Sequence, residues 1–267
     1  MSEEILKALM QLFAIISKQD EGATADQRNF VESFLSSQLN NLKVQEYLKL
    51  YDEMSINPED GQEGSQGTGG KLTSMKDSVR TLSICRKINK TLTQKQKVIV
   101  LVRLFEMLKS EHLYTDQRMG IINTVANVFN ISNEELDLIS NFIRKDEPEK
   151  IDSEEILVIT SLPEGETHRY KYVNSNGLDG SIGILRIKSA DLYFIRYNGT
   201  SDISLNGMSF NNKKVYIFPQ GSTLRVPKGT LYYSDIVSRY LAAENVNRLS
   251  FRATDLVFRF PNNAIGL

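Results

Sequence analysis

Cysteine and histidine are scarce in this chain: Cys85 stands alone, and His112 and His168 lie far apart. A single thiol excludes an internal disulfide framework and a cysteine-based zinc site, and two separated imidazoles argue against a histidine-rich metal centre. Excess charge of one sign is missing as well. With 32 Lys+Arg against 33 Asp+Glu the net charge is −1, so no basic excess is available to neutralise phosphates and no nucleic-acid partner is expected. No apolar run approaches the roughly 20 residues of a membrane-spanning helix. Met1-Ser-Glu-Glu lacks the basic start of a signal peptide, and a soluble, cytoplasmic chain is expected. Enzyme signatures are absent too: there is no Gly-x-Ser-x-Gly elbow, no His-Glu-x-x-His and no usable Cys/His couple. Gly70-Lys71 is suggestive of a phosphate loop. However, Ser65 stands where its first glycine belongs and Leu72 where a Ser or Thr would hold magnesium, which leaves a linker and no catalytic residue.

What is present changes character near Pro148. The 267 residues, 40% hydrophobic, suffice for two domains of ordinary size. Residues 1–146 read as helices. Ile5, Ala8, Leu9, Leu12, Phe13, Ile15 and Ile16 recur at three- and four-residue intervals, one face of a helix. Thr24-Ala-Asp-Gln27, Thr93-Gln-Lys-Gln96 and Ser132-Asn-Glu-Glu135 each match a capping box. Residues 55–71, rich in glycine and free of aromatics, read as a flexible insert that divides the helical half. The two parts resemble each other. Leu12-Phe13 leads through Asp20 to Thr24-Ala-Asp26-Gln27-Arg28, and Leu104-Phe105 leads through Glu111 to Thr115-Asp116-Gln117-Arg118. This is the pattern of a duplicated helical hairpin, with too few copies for an open solenoid.

Residues 151–230 are β-rich. Short runs at 156–160, 170–172, 182–187, 192–196, 215–218 and 223–226 are separated by Asn-Gly, Asp-Gly and Pro-Gln-Gly turn signals, which predicts a small antiparallel β-sandwich. A linker helix is expected over 231–247. The stretch 248–267, with Phe251, Leu256, Phe258 and Phe260 before a Pro-Asn-Asn turn, reads as the first strand of a further domain, so the chain is expected to continue past Leu267.

Acidic residues gather at the corners of the duplicated hairpins. Asp20 and Asp26 in the first copy, beside Glu21, and Glu111 and Asp116 in the second would form an oxygen-only site for calcium or magnesium if the corners converged. The same residues would equally complement helix dipoles and solvate loops. The repeated helix, acidic turn and capped helix resemble the TerB-like tellurite-resistance family, an all-helical duplicated domain. That resemblance covers residues 1–146 in layout, and Asp20, Gly22 and Thr24 align with the family's first turn. It implies divalent-metal binding by the acidic turns, although Gln27 and Arg118 occupy the places of its downstream glutamates.

Asn198-Gly-Thr200, Ser204-Leu-Asn206-Gly207 and Gly221-Ser-Thr-Leu224 are similar to the turns of a forkhead-associated sandwich, a family of phosphothreonine-peptide readers. Phosphate capture there needs an Arg beside a loop glycine. Here Ile184 follows Gly183, so Arg186 and Arg196, with Asn206, are the candidates that the resemblance offers for peptide binding. Finally, 255–267 is similar to the first strand of an ABC-type ATPase domain, in which an aromatic stacks on adenine, and Phe260 is the matching position. The order of these parts resembles the N-terminal region of a bacterial ABC transporter ATP-binding protein. This implies a non-catalytic regulatory and docking region with protein partners. ATP, magnesium and a membrane transporter subunit or segment would belong to the longer protein, at the cytoplasmic face of the membrane. The alternatives from the same residues are a stand-alone stress adaptor that binds divalent metal and a phosphothreonine reader.

Overall fold

The computed structural model describes residues 3–18, 24–55, 69–111, 114–164, 167–212 and 214–241, with the single positions 254, 257, 260 and 261. Seven helices come first: α1 (Glu3–Ser17), α2 (Ala25–Ser36), α3 (Asn41–Ser55), α4 (Gly69–Thr91), α5 (Gln94–Glu111), α6 (Asp116–Val128) and α7 (Asn133–Arg144). The predicted caps explain several of their starts. Thr24 closes a complete box, its Oγ1 accepting from Gln27 N at 3.2 Å while Gln27 Oε1 accepts from Thr24 N at 3.2 Å. Thr93 and Gln96 exchange the same pair of bonds at 3.4 and 2.8 Å. Ser132 caps α7, but the Glu135 carboxylate turns away from the box and accepts from Ser189 N and Oγ, 2.9 and 2.6 Å away, in the β half.

Three helices, α1–α2–α3, precede α4 and three, α5–α6–α7, follow it. Helix α1 is apolar on nearly every side and is buried from Ile5 to Ile16 apart from Lys7 and Gln11, as befits a central helix. It packs against α3, α4 and α5. Helix α4 starts at Gly69, inside the stretch read as the flexible insert; residues 56–68 of that stretch lie outside the described residues.

After a 3-10 turn at Pro148–Lys150 come β1 (Ile156–Thr160), β2 (Lys171–Asn174), β3 (Ser181–Ile187), β4 (Leu192–Asn198), β5 (Ser204–Leu205), β6 (Met208–Ser209), β7 (Tyr216–Ile217), β8 (Thr223–Val226) and β9 (Gly229–Tyr232), then α8 (Tyr233–Leu241). They form a five-stranded sheet, β2-β1-β3-β4-β7, and a four-stranded sheet, β6-β5-β8-β9. The predicted sandwich is not wholly antiparallel, because β1 and β2 pair in parallel, Leu157 opposite Lys171 and Thr160 opposite Asn174. The connection 161–170 is long enough to return the chain to the starting end of β1, as a parallel pair requires. The β region runs two residues past the expected 230, and the helix expected over 231–247 is described from Tyr233 to Leu241.

The five-stranded sheet is the middle layer of three. Ile156, Val158, Leu185, Ile187, Leu192 and Phe194 face the helices and join their core. Leu157, Ile159, Ile182, Ile184, Tyr193, Ile195 and Tyr197 face the four-stranded sheet and α8. Strands covered on both faces lose the apolar–polar alternation of a half-exposed strand, which is why 156–159 and 192–195 are unbroken apolar runs. Gly183 sits in the middle of β3 on the helical face. A Cβ there would lie 2.6 Å from Pro148 Cβ and 3.2 Å from Phe142 Cε2, so the missing side chain lets α7 and the 3-10 turn close on the sheet.

Candidate functional site

The polar residues that structure organises most completely lie on the seam between helices and middle sheet. Arg103 and Glu106, one turn apart on α5, form a mostly buried ion pair. Arg103 Nη1 donates to Val215 O at 2.9 Å, and Val215 N donates to Glu106 Oε1 at 2.8 Å. One charged pair thus satisfies both backbone groups of the residue just before β7, closing that end of an edge strand. On the same face of the neighbouring strand, Arg196 of β4 is 6% exposed. Its guanidinium donates to Ile143 O at 3.4 Å and to Lys145 O, and it lies 5.0 Å from the centre of the Phe142 ring. It therefore satisfies carbonyls at the C-terminal end of α7, where a cation also complements the helix dipole. Burial pushes Arg196 down to about 10, partly opposed by the charges of Asp146 and Glu149, so it is charged at neutral pH. Lys109 pairs with Asp146 at 2.6 Å, and Ser181 Oγ donates to Glu149 Oε2 at 3.1 Å.

Beneath the other face of the middle sheet, Tyr240 of α8 is 1% exposed and donates to Ile184 O at 2.7 Å. Lys171 Nζ lies 5.4 Å and the Arg186 guanidinium 6.0 Å from its ring centre, cation–π contacts that hold the helix to β2 and β3. Burial pushes the Tyr240 phenol well above its ordinary range.

The residues singled out from the sequence are distributed as follows. Arg186 and Arg196 occupy opposite faces of the middle sheet, the first near Tyr240 and the second against α7. Asn206 is exposed in the β5–β6 hairpin, at φ 53° beside Gly207 at φ 80°. Its Oδ1 accepts from Thr223 N at 2.8 Å and its Nδ2 donates to Ser222 Oγ at 3.4 Å, so the side chain fastens the hairpin to β8. Asp26 and Asp116 are exposed in the first turns of α2 and α6. Asp20, Glu21 and the Glu111 side chain lie outside the described residues. No cluster of three or more His, Cys, Asp or Glu among the described residues is placed to hold a metal ion. Phe260 is 49% exposed, and the strand expected around it falls on residues outside those described. No described helix is long and apolar enough to cross a membrane.

Sequence reasoning passed over Arg103, Glu106, Glu135 and Tyr240. A signal existed for the first two, a charged pair three residues apart inside the apolar run from Val98 to Leu108. The chain matches no protein-family model, no curated protein and no solved structure.

Proposed function

We propose that this chain is a non-catalytic regulatory and docking region of an ABC transporter ATP-binding protein, with a TerB-like bundle and a forkhead-associated-like sandwich. The observation that supports it is the mechanical continuity from the helices to α8. The bundle is clamped to one face of the middle sheet by Arg103, Glu106 and Arg196, and α8 is clamped to the other through Tyr240. A shift of the bundle on meeting a partner is carried through the sheet into α8 and so to the residues after Leu241, where Phe260 is the adenine-stacking candidate. In this reading ATP, magnesium and the transporter's membrane part are engaged by the longer protein at the cytoplasmic face of the membrane.

Reading the source gene past the codon for Leu267 and assaying the longer product tests this. The expected result is an open frame encoding Gly-x-x-x-x-Gly-Lys-Ser/Thr. Its ATPase rate should change when Tyr240→Phe removes the bond to Ile184. The 267-residue chain itself should bind ATP no more tightly than about 1 mM in calorimetry, since phosphate contacts supply most nucleotide affinity. A stop codon directly after Leu267, or micromolar ATP binding by the chain alone, overturns the proposal.

A further inference from the structure

Charge is segregated along the chain in a way its near-neutral total conceals. Residues 78–105 contain seven Lys or Arg and no carboxylate, which leaves 25 cations against 33 acids elsewhere, net −8. Three of these cations, Arg86, Lys87 and Lys90, are exposed on α4 and make no ion pair among the described residues. They stand with Val79, Leu82 and Ser83 at intervals of three and four, one stripe of the helix. The six residues line a shallow, open groove of about 360 Å³ along this one face of α4. The opposite side of α4 is occupied, because Ile84, Cys85 and Ile88 are buried in the core and the helix packs on α1 and α6. At the head of the groove Val79 is 66% exposed, an apolar anchor point followed by a basic wall.

We propose that this groove docks an acidic amphipathic helix of a partner protein. One apolar side chain of that helix sits on Val79 and Leu82, and carboxylates one and two turns further on meet Arg86, Lys87 and Lys90. The choice of a protein partner rests on the docking reading above. Two observations favour a short acidic peptide over the other anionic partners. Apolar Val79 and Leu82 stand at one end of the stripe and Arg86, Lys87 and Lys90 at the other, an order that a helix carrying one apolar side chain followed by carboxylates matches. The acidic remainder of the chain repels a long polyanion such as RNA, while a short segment gains the local attraction and brings little further charge against that remainder.

The test uses the whole chain and a fluorescein-labelled helical peptide of about 18 residues with a leucine stripe flanked by glutamates. Vesicles containing phosphatidylserine and a short single-stranded RNA are titrated in parallel. The peptide should bind saturably, more weakly as salt rises. Arg86→Glu with Lys90→Glu should weaken it about tenfold, as Val79→Asp should independently. A peptide with glutamine for every glutamate should lose the interaction. These positions are exposed, and an unchanged circular dichroism spectrum and melting midpoint show that the variants fold. Absence of saturable binding, binding indifferent to the charge reversals, or tighter binding of vesicles or RNA through the same residues overturns the proposal. The gene and ATPase experiment does not involve this groove, so either reading can fail while the other stands.

Discussion

Gly183 is the residue on which the seam depends most sharply. Its backbone conformation is open to any residue; what it supplies is absent volume, between Pro148 and the Phe142 ring. Gly183→Ala should destabilise the fold by roughly 1–3 kcal/mol, the usual effect of overpacking a filled interior, seen as a lower urea midpoint with an unchanged slope. Legibility at this scale follows distance along the chain. The boxes at Thr24 and Thr93 could be read because both partners lie three residues apart. Glu135 shows the limit: its spacing from Ser132 is that of a box, yet its carboxylate bonds to Ser189, 54 positions away. Arg196 was legible as a strand arginine, but its acceptors at Ile143 and Lys145 are 53 and 51 positions distant, and nothing local points to them.

Among the elements, the helices and most strands were legible, and the middle sheet was partly so. Ile156-Leu-Val-Ile and Leu192-Tyr-Phe-Ile were recognisable as strands, and their lack of alternation also signals burial on two faces. That second signal is what ties the bundle to the sandwich, and reading the runs as ordinary sandwich strands misses it. The parallel pairing of β2 had no signature, because a connection such as 161–170 states its length but not its direction. Burial also sets how individual elements respond to alkali. The Cys85 thiol on α4 and the Tyr114 phenol just before α6 are each pushed up to about 12 by desolvation. In the unfolded chain they ionise near 8.5 and 10 respectively. The folded chain therefore retains protons that the unfolded chain releases, and the contribution of these two groups to stability falls as pH rises from about 9 towards 12. Urea midpoints taken across that window should decline, and Cys85→Ala should make the decline shallower. A midpoint flat to pH 11 would contradict the burial assigned to both groups.

For the whole molecule, the shared core predicts cooperative loss of structure. Helical side chains and one face of the middle sheet belong to a single apolar cluster. Urea transitions followed by far-ultraviolet circular dichroism, which reports mainly the helices, and by tyrosine fluorescence, which samples mainly the β half because all of the 11 tyrosines but Tyr47, Tyr51 and Tyr114 lie after Pro148, should therefore coincide. Two separated transitions would mean that the halves are independently stable and that the seam is a contact, not a core.

The compositional change near Pro148 looks like an obvious place to divide the chain for separate expression, and the middle sheet makes it a poor one. Cutting there would strip the lid from Ile156, Val158, Leu185, Ile187 and Phe194 on one product and leave the bundle with a matching greasy scar on the other. Each product would then meet its neighbours in solution through its exposed apolar face, and insolubility on both sides of the cut follows from dividing that one cluster.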